Sequence, residues 1–125
     1  MAQRIVVQPA GVHQPASPYS HAIISSAGKR IYVSGQVPVD ANGDHLSADD
    51  FEGQVDQVFA NLSQILAAAG AAFGDVVKLG TYLTRSSDIA AFGKKRAEFL
   101  SNHFAEGEYP ASTLVVVAGL ADPRW

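Results

Sequence analysis

Ser112-Thr113-Leu114-Val115-Val116-Val117-Ala118 is the stretch that decides the fold. After two polar residues it is apolar without interruption, and three successive valines favour a pleated, extended backbone. A strand with no polar alternation reads as buried on both faces, as in sheets built through strand–helix–strand crossovers. The preceding sequence supplies such crossovers. Ser86-Ser87-Asp88 offers caps for a helix, with Ile89, Phe92, Phe99 and Leu100 on its apolar side. Before it, Asp75 to Leu83 reads as a strand through Val76, Val77, Leu79 and Leu83. Earlier still, Val55, Val58, Phe59, Leu62, Ile65, Leu66 and Ala69 recur at i, i+3, i+4 and i+7. Ser47, Asp49 and Asp50 supply caps and negative charge at the start of that first helix. Gly70 stands where a C-terminal cap belongs.

The N-terminal third is strand and turn. Ile5-Val6-Val7 predicts a short strand, and Pro9 to Pro18 a loop. Ala22 to Ser26 and Arg30 to Val33, separated by Ala27-Gly28-Lys29, predict a β-hairpin. Asn42-Gly43, within Asp40 to Asp44, predicts a tight turn. Strand–helix–strand connections are right-handed, so two of them in one sheet place both helices on the same face. The other face then needs a cover, and the sequence offers no third helix. The expected cover is another copy of the chain, which makes this a homo-oligomer.

The bulk numbers exclude several classes. A length of 125 residues, 47% of them hydrophobic and 17% charged, fits one domain with its own core. No cysteine is present, which removes disulfides, thiolate metal sites and cysteine nucleophiles, and fits a reducing, cytoplasmic setting. The net charge of −3 and the scattered basic residues argue against a nucleic-acid partner. The one cluster, Lys94-Lys95-Arg96, reads as the solvated face of the second helix. The N-terminus lacks the apolar run of a signal peptide, and Gln57 to Gly74 reads as an amphipathic helix rather than a membrane span. His13, His21, His45 and His103 show no ligand spacing, so neither a metal nor another cofactor is expected. Asp40-x-Asn42-x-Asp44 begins like a calcium loop, but its twelfth residue is Phe51 rather than glutamate. Tyr32 and Gln36 stand where a nucleophile elbow around Ser34 needs glycines. Asn61-Leu62-Ser63 is a glycosylation sequon without a secretory context.

Several segments, in this order, resemble the RidA/YjgF family of small imine and enamine deaminases. They are Ser17-Pro18-Tyr19-Ser20-His21-Ala22 and Ile31-Tyr32-Val33-Ser34-Gly35-Gln36-Val37-Pro38. Asn61-Leu62 follows, with Leu66-Ala67-Ala68-Ala69-Gly70 and then Asp75-Val76-Val77-Lys78 leading to Thr81-Tyr82-Leu83. The last are Tyr109-Pro110-Ala111-Ser112-Thr113 and Val115-Val116-Val117-Ala118-Gly119-Leu120. The match runs from about residue 5 to the end, so residues 1–125 read as a single RidA/YjgF-like domain.

The resemblance implies a chorismate-mutase-like α+β fold in two layers: a mixed sheet with two helices on one face. It also implies a homotrimer whose sheets form a central barrel and whose ligand clefts lie between subunits. Active members hydrolyse 2-aminoacrylate-type enamines and imines to 2-keto acids and ammonia. An arginine in a Pro-Ala-Arg-Ser pattern clamps the substrate carboxylate there. Here the pattern is Pro110-Ala111-Ser112-Thr113, so Ser112 takes the arginine's position. Exchanging a charge-assisted for a neutral hydrogen bond costs on the order of 1–3 kcal/mol. Gly93 replaces a cleft asparagine, and Ser17 and His21 replace the glycine and glutamine that flank Pro-Tyr-Ser. The family's water-positioning glutamate lies in a final strand. The sequence reaches Asp122-Pro123-Arg124-Trp125 before that strand, so either a further segment or another cover for the sheet edge is expected.

The resemblance thus implies a cleft wall for a small carboxylate or carbonyl compound. Its candidate ligand-binding residues are Tyr19, Ser34, Gly35, Ser112 and Thr113, and no catalytic residue is assigned. Arg30, Arg85, Arg96 and Arg124 are the cations available to replace the clamp from another backbone position, with Arg124 the first choice. Three functions compete: a hydrolase of small imines, a non-catalytic metabolite-binding module, and an RNA-cleaving or translation-inhibiting protein. The uncovered sheet face generates a first prediction. Sedimentation of the purified chain should give a mass of three copies of 13.2 kDa, and a monomer at micromolar concentration would contradict it.

Overall fold

Helix α1 (Phe51–Ala68) begins where the sequence places its caps. The Asp50 carboxylate accepts from Gly53 N at 3.0 Å, and Ser47 Oγ accepts from Asp49 N at 3.2 Å. The helix ends in a Schellman motif: Gly70 N–H bonds the Ala67 carbonyl at 3.0 Å and Ala71 N–H the Leu66 carbonyl at 2.9 Å. Gly70 reaches the required left-handed φ of 79° at no steric cost. The computed structural model on which these statements rest describes residues 4–26 and 28–125.

Helix α2 (Ile89–Ser101) differs from expectation at its start. Ser86–Asp88 forms a 3₁₀ turn, and Asp88 gives its carboxylate to Arg85 at 3.0 Å rather than to the helix N-terminus. Before α2 lies strand β3 (Lys78–Leu83), and after it β4 (Ala111–Val116). The two pair in parallel from Lys78↔Ala111 to Leu83↔Val116, the arrangement that a helical crossover permits. The strand expected from Asp75 starts later, because Phe73–Asp75 is a 3₁₀ turn whose Asp75 carboxylate accepts from Ala72 N at 2.9 Å.

Strand alternation sorts the ladder's side chains. Leu79, Leu83 and Leu114 face the helices and join Val55, Phe59, Leu66, Phe92 and Leu100 in one core. Phenylalanines fill its centre: Phe59 and Phe99 stack with centroids 4.2 Å apart, and Phe73 meets Phe99 edge-on at 4.7 Å. Both helices lie on this one side, as expected. On the other side Tyr82 is 62% exposed and its ladder partner Val115 40%. The apolar run of β4 is therefore covered on one face only within a single chain.

The N-terminal third departs from the sequence reading. Strand β1 (Arg4–Val7) pairs antiparallel with β2 (Ala22–Ser25), from Arg4↔Ser25 to Val7↔Ala22. Arg30 to Val33 forms no strand, so the predicted hairpin is replaced by the β1–β2 pair; Ala27, in its predicted turn, lies outside the described residues. β-branched composition favours extended backbone, but pairing is set by which segment comes alongside. The described strands accordingly form two two-stranded sheets rather than one continuous mixed sheet. A parallel bridge, Ser20↔Ala111, brings the segment leading into β2 beside β4. The Asn42-Gly43 turn is present as read, with Asp40 Oδ1 accepting from Asn42 N and Asp44 N at 2.9 and 3.0 Å.

Leu100 has no exposed surface, so Leu100→Ala removes contacts at the core's centre. It should cost about 2–5 kcal/mol of unfolding free energy in urea titration. A loss below about 1 kcal/mol would show that the core is looser than its packing indicates.

Candidate functional site

The first polar cluster forms where β4 begins. Ser20 N–H bonds the Pro110 carbonyl at 3.0 Å, and Ser20 Oγ donates to the Tyr109 carbonyl. Ser20 is 2% exposed, so these bonds pin the Ser17–His21 loop beside β4, on the edge that β3 does not use. Tyr19 thereby sits next to the start of β4, its ring edge-on to His21 with centroids 6.0 Å apart. The His21 backbone N–H is held by Gln8 Oε1 at 3.1 Å.

Ser112 and Thr113 follow on β4 and diverge. Thr113 lies on the open face, where its hydroxyl accepts from Lys78 Nζ at 2.8 Å. Ser112 faces the helices, and its hydroxyl accepts from Arg96 Nη1 at 3.4 Å. Alternation along a strand forces this split. The two candidates cannot contact one ligand group from the same side of the ladder.

Arg96, named among the available cations, departs from the solvated face on which the sequence placed it. It is not on a solvated face: it is 8% exposed, with its guanidinium 5.5 Å from the Phe92 ring centre. Its Nε is buried without a hydrogen-bond partner. Desolvation by burial lowers its pKa, and no neighbouring carboxylate acts against that shift. The signal was in the sequence. Phe92, Arg96 and Leu100 recur every four residues, so Arg96 falls on the apolar stripe of α2. The adjoining Lys94 and Lys95 masked it: Lys94 is exposed, and Lys95 reaches across to Asp56 of α1 at 2.8 Å.

Ser34 and Gly35 lie elsewhere. Both are exposed, in a strap that α1 holds through Asn61 Nδ2, which donates to the Val37 and Val39 carbonyls at 3.2 and 3.0 Å. Gly35 lines a cavity of about 490 Å³ whose walls include Val55 and Phe59 of α1, Thr81 and Leu83 of β3, and Leu120. Tyr19 adjoins the edge of β4 that β3 does not use, whereas Gly35 lines a different cavity, against α1 and β3.

The C-terminal tail closes this cavity. Arg124 bonds the Asp122 carboxylate at 2.6 Å and so does not serve as a free cation, contrary to its selection as first choice. Gln54 Nε2 donates to the Arg124 carbonyl at 2.8 Å. The Trp125 ring stacks on His45 at 5.7 Å, and its Nε1–H donates to His45 Nδ1 at 3.0 Å. Of the other arginines considered, Arg85 is paired with Asp88, and Arg30 is exposed. Among the described residues no three His, Asp or Glu side chains gather as a metal site, and no helix is long and apolar enough to cross a membrane.

Comparison with known proteins gives this arrangement a context. The profile of the family described as Endoribonuclease L-PSP matches residues 11–125. A 2-iminobutanoate/2-iminopropanoate deaminase of Dermatophagoides farinae is 30% identical over 107 residues, 86% of this chain and 78% of that protein. The crystal structure of YyfB from Yersinia pestis, a Rid protein of unknown function, superposes with a TM-score of 0.83. It is 32% identical, and the match covers 97% of this chain and 90% of that one. TdcF of E. coli, solved with bound serine, gives a TM-score of 0.65 at 31% identity, covering 72% of this chain and 68% of that one.

The tail contacts generate a test, because Trp125 is the only tryptophan. Hydrogen bonds from Arg124 hold the Asp122 carboxyl well below the usual carboxylate range. A depressed carboxylate contributes fully above its unfolded pKa and is lost only as pH falls through the depressed value, so mild acid leaves that pair intact. Asp122→Asn removes the carboxylate that holds Arg124, and His45→Phe removes the acceptor of the indole N–H. Each variant should shift Trp125 emission to the red at neutral pH. Wild-type emission in both variants would show that these contacts do not hold the tail.

Proposed function

This chain belongs to the Rid family, described also as Endoribonuclease L-PSP, and on that premise we propose that it hydrolyses small imines or enamines derived from amino acids. The observation that carries the reading is the packing of Tyr19-Ser20 against Pro110-Ala111. It places a phenol beside a half-buried, polar strand start, in a family that includes a deaminase of two imino acids. A second family member is known with serine bound, a ligand that presents a small carboxylate of the kind proposed here.

The chemistry asks little of the protein. The carbon of a C=N bond is electrophilic. Water oxygen adds to it, and nitrogen takes up a proton as the carbon–nitrogen π bond becomes a lone pair. The resulting carbinolamine loses ammonia, the hydroxyl oxygen gives up its proton, and the carbonyl of a 2-keto acid forms. Imine and water are consumed, and keto acid and ammonia are released. The protein has to hold the carboxylate and position one water. In the proposed site Tyr19 packs over the ligand, Ser112 and Thr113 offer hydroxyls, and Ser34 with the Gly35 N–H receives an oxygen.

These five residues are spread over both sides of the ladder in one chain, and this supports a cleft completed by a second copy. The open face bearing Tyr82 and Val115 supports the same assembly, a homotrimer with its sheets inward. A second reading, a metabolite-binding module without catalysis, draws on one observation: none of the five is a carboxylic acid or a histidine, so none is an obvious proton carrier.

The two readings separate in one assay. Imines generated in place by an amino-acid oxidase should release ammonia faster with the protein than in buffer alone. Tyr19→Phe and Ser112→Ala should each lower kcat/KM by roughly tenfold, about 1.4 kcal/mol of transition-state stabilisation. Decay of every imine at the buffer rate would end the hydrolase reading. A rise in Tm with a keto acid would then be the mark of the binding module.

A further inference from the structure

Among the described residues, two arginines have buried guanidinium atoms without hydrogen-bond partners: Arg4 and Arg96. Their surroundings differ. Arg4 donates to the Glu108 carbonyl at 3.1 Å and lies 4.9 Å from the Phe104 ring centre, and the charges of Glu108 and Asp75 partly offset its desolvation. It is a cation with carboxylates near enough to act on it.

Arg96 has none. Burial is the only influence on its ionisation, and its one polar partner is a neutral hydroxyl, Ser112 Oγ at 3.4 Å. No ion pair of the described residues includes it. Taking a guanidinium out of water is unfavourable unless a counter-charge and hydrogen bonds replace the lost hydration. An arginine stays protonated at any working pH, so it cannot escape the penalty by losing its proton. A face of Phe92 at 5.5 Å recovers part of the cost, but leaves the planar N–H fork unfilled.

We infer that Arg96, reaching from α2 to the start of β4, is the carboxylate-binding cation of this protein. The inference rests on the proposed function only for the identity of the substrate, since the unpaired charge stands without it. The ligand class follows from the charge count. One guanidinium and one neutral hydroxyl match a singly charged, planar carboxylate, which the fork can grip with two parallel hydrogen bonds. A phosphate dianion would keep half its charge unmatched. The site lies at a half-buried strand start rather than in a sealed core, as the intermediate exposure of Ser112 shows. It is also beside the Tyr19 loop, through the bridge from Ser20 to Ala111. A carboxylate there would exchange a weak 3.4 Å contact for charge-assisted bonds.

The test uses the full chain and four ligands: pyruvate, its neutral isostere pyruvamide, inorganic phosphate and chloride. Calorimetry should show pyruvate binding to the wild type at least tenfold tighter than pyruvamide or phosphate. In Arg96→Gln that preference for acid over amide should collapse to about one. Arg96→Met keeps the bulk and removes the charge, and its Tm without ligand should equal or exceed that of the wild type, while pyruvate no longer raises it. A purely structural arginine would give the opposite pattern: Arg96→Met loses Tm and pyruvate discrimination is retained wherever the protein folds. That pattern overturns the inference, as does a wild type that does not prefer pyruvate. Imine hydrolysis is measured separately. Turnover unaffected by Arg96→Gln sinks this inference and spares the hydrolase reading. Pyruvate binding lost in Arg96→Gln, in a wild type without turnover, does the reverse.

Discussion

Everything in this molecule depends on the parallel pairing of β3 with β4. A parallel pair cannot be closed by a tight turn, so the chain between Leu83 and Ala111 must cross over, and α2 is that crossing. The crossover puts α2 against one face of the ladder, and α1 packs beside it over the phenylalanine cluster. One face is thereby filled. The other keeps Tyr82 and Val115 in the open, and a face of that kind is stable in water when something covers it.

The same pairing makes the start of β4 chemically distinctive. Ser112 is the residue at which the ladder's inner face changes from apolar core to polar edge. Leu114 and Leu83 lie further along that face within the core, while Ser112 meets a guanidinium. On its far edge β4 receives the Ser20 loop, so that loop and Arg96 of α2 both reach the first two residues of one strand.

The tail and the strap show the opposite edge of β3 solved in another way. Strand pairing ends there, and side chains take over: Asn61 ties down the strap, and Gln54, Thr84 and His45 tie down Arg124 and Trp125. The cavity between them is walled by apolar groups of α1 and β3. Arg124 is spent on Asp122 in this arrangement. Two arginines, at positions 96 and 124 on either side of Ser112 in sequence, therefore have contrasting fates, one neutralised on the surface and one buried unpaired.

Local chemistry was legible in the sequence by itself. The caps of α1, the glycine at its end, the Asn42-Gly43 turn, the apolar stripes and the long apolar strand depend on neighbours within a few residues, and these appear in the structure. Family membership was legible too, because the order of short motifs survives where single residues change. Tertiary structure decided what depends on distant partners. It paired β2 with β1 instead of with Arg30 to Val33, since a strand's partner is chosen by which segment is brought alongside. It set Ser112 and Thr113 on opposite faces, and it turned Arg96 inward while Lys94 stayed exposed. Three adjacent basic residues look alike in a sequence, but a helix rotates each about 100° from the last. Only the packed sheet beneath α2 determines which of them loses its water.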